Sequence, residues 1–228
     1  NMNKKIDIVV CSAGSYDDSL FKKSYTELND DVYNLNFVEF NNKPIAEVYN
    51  SFLDTCSDYV IFCHDDLSIE DSKLSKKIDQ AIGDDSEYDI CGIAGNRKCR
   101  IQNKNLWHTM GDEDTMSGAV AHYIGDSDVK CFMTDFGPTP SRCILLDGLF
   151  LAVNVKKIKE VGLKFDEQCP SNWNFYDILF TLNAHKLGLK MTTYPIWVVH
   201  RSHGLETFDD DDWSNGNDYL KNNWKGKL

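Results

Sequence analysis

The stretch YVIFCHDDLSIED, residues 59–71, runs strand-forming residues straight into His64, Asp65 and Asp66. Adjacent carboxylates repel one another and cost stability unless water, a cation or a partner stabilises them. A hard divalent cation such as Mg²⁺ or Mn²⁺ takes oxygen ligands, commonly one or two carboxylates together with substrate phosphates. One aspartate can then bind the ion while its neighbour holds a ribose hydroxyl or a metal-bound water. The same residues also fit a solvated turn with a helix-capping aspartate, which needs no metal.

The flanking sequence decides where that turn lies. IDIVVCSA (6–13) is a short β-branched run, hence a buried strand. GSYDDSLFKKSYTEL reads as a loop and a helix, and YNLNFVEF as a second strand. KPIAEVYNSFLDTCS places Ile45, Val48, Tyr49, Phe52 and Leu53 on one helical face behind Pro44. YVIFC is the third strand. SIEDSKLSKKIDQAIG reads as a polar helix with Leu74, Ile78 and Ile82 inward and Gly83 as its stop, and YDICGIAG as a fourth strand. Such βα alternation predicts a mostly parallel central sheet flanked by helices. Sheets of that kind bind ligands at the carboxyl ends of their strands, where both Ser12–Tyr16 and His64–Asp66 fall.

The second half reads differently. Residues 96–141 look irregular, with GAVAHYIG and DVKCFM forming a small antiparallel element. RCILLDGLFLAVNV is a long strand interrupted by Asp147-Gly148, and KKIKEVG a short helix. SNWNFYDILFTLNAHKLG is a helix with Phe175, Ile178, Leu179, Leu182 and Leu187 inward and Gly188 as terminator. LKMTTYPIWVVH is the last strand, and the tail is acidic and then aromatic.

Composition narrows the function. A chain of 228 residues that is 42% hydrophobic and 26% charged reads as one domain with a real core. Its net charge of −12 argues against nucleic acid as the main ligand and against simple adhesion to an anionic membrane. No apolar run approaches the roughly 20 residues of a membrane helix, so membrane contact would be peripheral. Asn1 before Met2 is set aside, and the early strand at Ile6 is read as no leader. The eight cysteines form no C-x-x-C pair, and four of them (Cys11, Cys63, Cys91 and Cys143) lie in strand-like runs. That usage suits free thiols in a cytoplasmic protein.

Three further constellations carry chemistry. In VVHRSHG (198–204), a histidine at a strand end can complete an Mn²⁺ shell, or stand as a hydrogen-bonded edge residue. Asp177 lies in the first turn of its helix, opposite the apolar stripe. It can accept a proton from a sugar hydroxyl, or simply complement the helix dipole. The basic run NRKCRIQNK (96–104) can hold a phosphate or an anionic acceptor, or be a solvated loop.

Taken in order, KPIAEVYN, the strand ending in HDD, DGLFLAV and NFYDILFTLNAHKLGLKMTTYPIWVVHRSHG resemble the GT-A glycosyltransferases, specifically the bacterial family 2-like group. The resemblance spans about Ile6 to His203 and extends to the W…YLKNNWKGKL ending. It implies a single domain over 1–228: a nucleotide-sugar-binding half (5–95), an acceptor and catalytic half (96–204) and a tail (205–228). Asp66 matches the metal-binding acid, and Asp65 its neighbour on the donor ribose or the ion's waters. Ser12, Ala13 and Gly14 match the loop lining the base, with Asn50 on the same donor side. Asp147, Gly148 and Trp107 fall on the acceptor side. Asp177 matches the base of inverting members, and His200, or else His203, the histidine that reaches the metal. Two positions depart from the pattern: His64 stands where a strict D-x-D has an acid, and Tyr176 where many relatives carry one.

The implied reaction is metal-dependent transfer from a nucleotide-diphosphate sugar to a hydroxyl of a glycan or lipid-linked acceptor, with Mn²⁺ or Mg²⁺ as cofactor, in polysaccharide or glycoconjugate biosynthesis. Two alternatives stay open: a non-catalytic nucleotide-sugar-binding or scaffolding protein, and a nucleotidyltransferase. The latter needs a glycine-rich basic loop after the first strand, where CSAGSYDD is acidic.

Overall fold

The computed structural model describes residues 4–28, 31–39, 43–201 and 210–228. In chain order the first half comprises β1 (Ile6–Ser12), α1 (Leu20–Glu27), β2 (Tyr33–Glu39), α2 (Ile45–Asn50), β3 (Tyr59–Cys63), β4 (Leu67–Ile69), α3 (Leu74–Ile82), β5 (Ile90–Gly92) and β6 (Ala94–Asn96). There follow β7 (Met116–Tyr123), β8 (Cys131–Gly137), β9 (Arg142–Cys143), β10 (Leu145–Leu146), β11 (Phe150–Asn154) and α4 (Val155–Glu160). The chain closes with α5 (Tyr176–Lys186), β12 (Met191–Thr193), β13 (Val198–His200) and α6 (Asp211–Trp224).

The main sheet has the order β2-β1-β3-β11-β5-β12-β9. Its inner strands β1, β3, β11, β5 and β12 are buried on both faces, and alternate residues serve different cores. Ile6, Ile8 and Val10 of β1 and Ile61 of β3 pack with Phe21, Leu74 and Ile78 from α1 and α3. Val9, Val60, Phe62 and Leu151 point the other way, onto Ile45, Val48 and Tyr49 of α2, Ile158 of α4 and Phe180 of α5. Strands β2, β1, β3, β5 and β12 run in one direction, as βα alternation requires. The pairing is more mixed than the sequence implies, because β11 inserts between β3 and β5, antiparallel to both. A strand entering from the second half needs no crossover helix to sit there.

The second sheet, β10-β6-β7-β13-β4, carries β8 on the outer side of β7. The β7–β8 pair is the expected antiparallel element. Four sequence runs divide here. RCILLDGLFLAVNV, read as one strand broken only at Asp147-Gly148, gives β9 and β11 to the main sheet and β10 between them to the second. YDICGIAG splits at Ile93, β5 staying in the main sheet and β6 joining the second. LKMTTYPIWVVH splits around Pro195, which lacks the N–H that a continuous ladder needs. SIEDSKLSKKIDQAIG is a helix only from Leu74, since residues 67–69 pair with β13. Asp71 fixes that break by accepting from the amides of Lys73 (3.0 Å) and Trp197 (2.9 Å).

Helix α5 buries Ile178, Leu179 and Leu182, with Phe175 just before it, but Leu187 is 46% exposed rather than inward. Gly188 at φ +85° turns the chain there, and Leu189 takes the buried position instead.

The acidic tail has a structural use. Asp210 caps α6 by accepting from the Trp213 amide at 2.8 Å, and Asp211 and Asp212 complement the helix dipole. Asp212 also accepts from Ser171 Oγ (2.6 Å), Asn172 N (2.6 Å) and Asn174 Nδ2 (2.8 Å), in the loop that leads into α5. Gly216 lets α6 approach this loop; a Cβ there would lie 2.4 Å from the Phe175 ring. Burial alone would raise the Asp212 carboxyl, but its hydrogen bonds outweigh that and hold it below the usual range. Asp212→Ala is therefore expected to destabilise the fold by about 1.5–3 kcal/mol at neutral pH. A group with a depressed native pKa stabilises above its unfolded value and loses that contribution as pH falls through the native one. Urea melts of both proteins should accordingly converge below about pH 4. A gap that stays constant into acid would contradict this role.

Candidate active site

Strand pairing builds the site. β3 ends at Cys63, opposite Phe150 of β11, so the residues that follow β3 lie beside those that precede β11. The His64 amide donates to the Leu149 carbonyl (3.2 Å), which sets His64-Asp65-Asp66 against Asp147-Gly148. On the other side β4 pairs with β13, placing His200 opposite Leu67, and the Arg201 amide donates to the Asp66 carbonyl at 2.9 Å.

These two pairings bring together His64, Asp66 and His200, each offering one ligand atom within 4.8 Å of the others. His200 Nε2 lies 3.2 Å from one Asp66 oxygen and His64 Nδ1 3.7 Å from the other. Two imidazole nitrogens and a carboxylate oxygen can hold a first-row divalent cation such as Mn²⁺, which takes nitrogen as well as oxygen ligands, so the residues fit the expected metal. Asp65 turns the other way and accepts a short hydrogen bond from Ser12 Oγ, joining the ends of β1 and β3. Ser12 Oγ in turn accepts from the Gly14 amide at 2.9 Å, shaping the loop with Ala13, which is exposed like Gly14. His203 lies outside the described residues.

Asp177 joins the site through Gly148. Its Oδ2 accepts from the Gly148 amide (2.9 Å) and its Oδ1 from the Ile178 amide (2.8 Å). It is half-buried rather than on an open helix face. Burial first, and then the charge of Asp147, push its carboxyl up to about 6, against the pull of those amides and His64. A carboxylate with that value is poised to take a proton near neutral pH.

Other expected residues are placed less centrally. Asn50 is occupied at the end of α2, where its amide group bonds Phe165 N, Phe165 O and Glu167. Trp107 packs edge-on against Phe136 at 5.0 Å, beside His108. The basic run is largely neutralised: Lys98 and Arg100 pair with Asp112, and Arg97 bonds the Asp114 carbonyl.

Sequence reasoning missed three neighbours. His122 of β7 stands beside His200 in the register, with the rings 5.4 Å apart. His108 and His122 are both held below the usual imidazole range, chiefly by burial. Tyr176, noted only as a departure, bonds His64 through its hydroxyl. For His122 the only signal lay in the β7–β13 register, which no local pattern reveals.

Comparison with known proteins follows this geometry. No curated protein matches the chain significantly in sequence. Among solved structures, the mannosyltransferase PcManGT from Pyrobaculum calidifontis, in complex with GDP-Man and Mn²⁺, aligns at 11% identity over 89% of this chain and 58% of its own, with TM-score 0.47. GalNAc-T7 with UDP, GalNAc and Mn²⁺ aligns at 12% identity over 96% of this chain and 48% of its own, with TM-score 0.54. A197 from STIV aligns at 13% identity, covering 91% and 99%, with TM-score 0.43. The chain thus spans about half the length of the first two, and the GalNAc-T7 overlay shows a shared GT-A fold. The sequence profile described as "Glycosyltransferase like family" matches residues 15–222, which takes in His64, Asp66, Asp177 and His200 and begins just after the Ser12–Gly14 loop, and the chain belongs to that family.

Proposed function

We propose that this protein transfers a sugar from a nucleotide-diphosphate sugar to a hydroxyl of a glycan or lipid-linked acceptor, with inversion. The observation that carries this reading is the convergence of two groups of residues at the β3–β11 junction. The His64–Asp66–His200 cluster is one. Asp177, with its carboxyl raised to about 6, is the other, linked to it through Gly148 and Tyr176. Glycosyltransferase-like family membership supports the same chemistry.

In this mechanism the half formed by residues 5–95 takes the donor, with Ser12, Ala13, Gly14 and Asp65 at the nucleotide. Residues 96–204 take the acceptor beside Asp147, Gly148 and Trp107. His64, Asp66 and His200 would hold Mn²⁺ or Mg²⁺, which when bound supplies positive charge to the leaving diphosphate. Asp177 accepts the proton of the acceptor hydroxyl. The freed oxygen pair forms the new bond to the anomeric carbon from the face opposite the diphosphate. The old carbon–oxygen bond breaks toward the nucleoside diphosphate, which leaves with that electron pair.

The eight cysteines are all free thiols, which suits a cytoplasmic setting. No helix among the described residues is long and apolar enough to cross a membrane. In this reading the acceptor belongs to polysaccharide or glycoconjugate assembly, and a lipid-linked one is met at the membrane surface.

The test is thermal. UDP or GDP is expected to raise the melting temperature only with Mn²⁺ or Mg²⁺ present, by mass action on the folded state. An equal shift in EDTA would remove the metal bridge from this reading.

A further inference from the structure

The two positions that depart from the family pattern are joined by one hydrogen bond. Tyr176 Oη lies 3.0 Å from His64 Nε2 and 3.2 Å from the Gly148 carbonyl oxygen. A carbonyl oxygen only accepts, so the single phenolic proton is directed to Gly148. The phenolic oxygen then accepts from His64, which requires the proton of a neutral imidazole to sit on Nε2. The lone pair is left on Nδ1, the nitrogen 3.7 Å from the Asp66 carboxylate in the His64–Asp66–His200 cluster.

The tyrosine is rigidly held. Its ring packs edge-on against Tyr49 (5.6 Å) and tilted against Phe165 (6.3 Å).

We infer that Tyr176 is a positioning residue that fixes His64 as an Nδ1 metal ligand and thereby biases the site toward Mn²⁺-like cations over Mg²⁺. The inference rests on the metal-site reading above and deepens it. Two imidazoles in a three-ligand set favour a first-row transition ion such as Mn²⁺, whereas Mg²⁺ prefers oxygen and releases water reluctantly. An outer partner that fixes a ligand's tautomer typically contributes 10–100-fold in metal affinity. Tyr176 touches neither diphosphate nor acceptor in this scheme; it acts through His64.

The experiment measures Mn²⁺ and Mg²⁺ binding to the full chain by calorimetry, with Mn²⁺ also followed by its electron-spin signal. Wild type is compared with Tyr176→Phe and Asp66→Ala. Wild type is expected to bind Mn²⁺ at least about tenfold more tightly than Mg²⁺. Tyr176→Phe should weaken Mn²⁺ by about 10–100-fold and change Mg²⁺ much less, and Asp66→Ala should lose both. If Asp66→Ala loses binding but Tyr176→Phe keeps the wild-type Mn²⁺ affinity, the tyrosine's role is overturned and the metal site stands. If Asp66→Ala binds like wild type, the metal site itself is wrong and the inference goes with it. Long-range proton–nitrogen NMR of metal-free wild type decides independently of whether the phenylalanine variant folds. His64 should carry its proton on Nε2, and a proton on Nδ1 overturns the inference.

Discussion

Asp177→Asn is expected to lower sugar transfer by about 10²-fold or more while leaving donor affinity nearly unchanged, the scale of a lost general base. The amide keeps the shape of the carboxyl, and its oxygen can still accept from the Gly148 or Ile178 amide. It cannot take a proton. The pH profile gives a second reading of the same residue. With its carboxyl at about 6, the wild-type rate should climb as pH rises through that region, because the base works only when deprotonated. The variant should lose that limb. For folding the sign is opposite: a carboxyl raised above its unfolded value stabilises most at low pH, and that contribution fades as pH rises through about 6. Near-normal turnover in the variant would point to a retaining or non-catalytic protein.

Asp66→Ala is expected to cut Mn²⁺ affinity by more than about 10²-fold, beyond the loss typical of an outer-sphere residue. The metal-dependent shift with UDP or GDP should vanish with it. The metal-free fold should persist, since removing one of two adjacent acids relieves repulsion while β4 and β13 stay paired through their backbones. Thermal melts with and without Mn²⁺ check both halves. Collapse of the metal-free variant would mean that the HDD turn is structural first.

How much of this was legible in the sequence depends on the range over which each feature is determined. YVIFC is a strand by composition alone, and the structure begins and ends β3 where that run does. The inward faces of α2 (Ile45, Val48 and Tyr49) and α3 follow from helical spacing, but α2 ends at Asn50, so Phe52 and Leu53 lie in the turn beyond it rather than on its face. Asp66 and His200 stood out because each follows an apolar run. Their meeting was not legible, because it needs β4, a three-residue strand hidden in a polar segment that reads as helix. Such a strand has no periodicity of its own and exists only through its partner, β13. The antiparallel insertion of β11 was hidden for the same reason, as pairing partners are chosen by the whole sheet. The acid-rich tail showed its charge but not its destination, since Asp212 acts on residues 171–174 across the fold.

Gly148 gives the site an epistatic character. Its amide serves Asp177 and its carbonyl serves Tyr176. A Cβ on it would stand 2.4 Å from the Tyr176 hydroxyl and 2.9 Å from the Asp177 Cβ. The proposed proton acceptor and the tyrosine behind the proposed metal ligand thus press on the same residue from adjacent positions of one helix. Any side chain gained at 148 must displace one or the other, so under the proposed mechanism mutational paths that alter shape at this point perturb the base and the cation site together. Variation in acceptor preference should then accumulate elsewhere, around Trp107 and β8, where a substitution leaves this three-residue lock untouched.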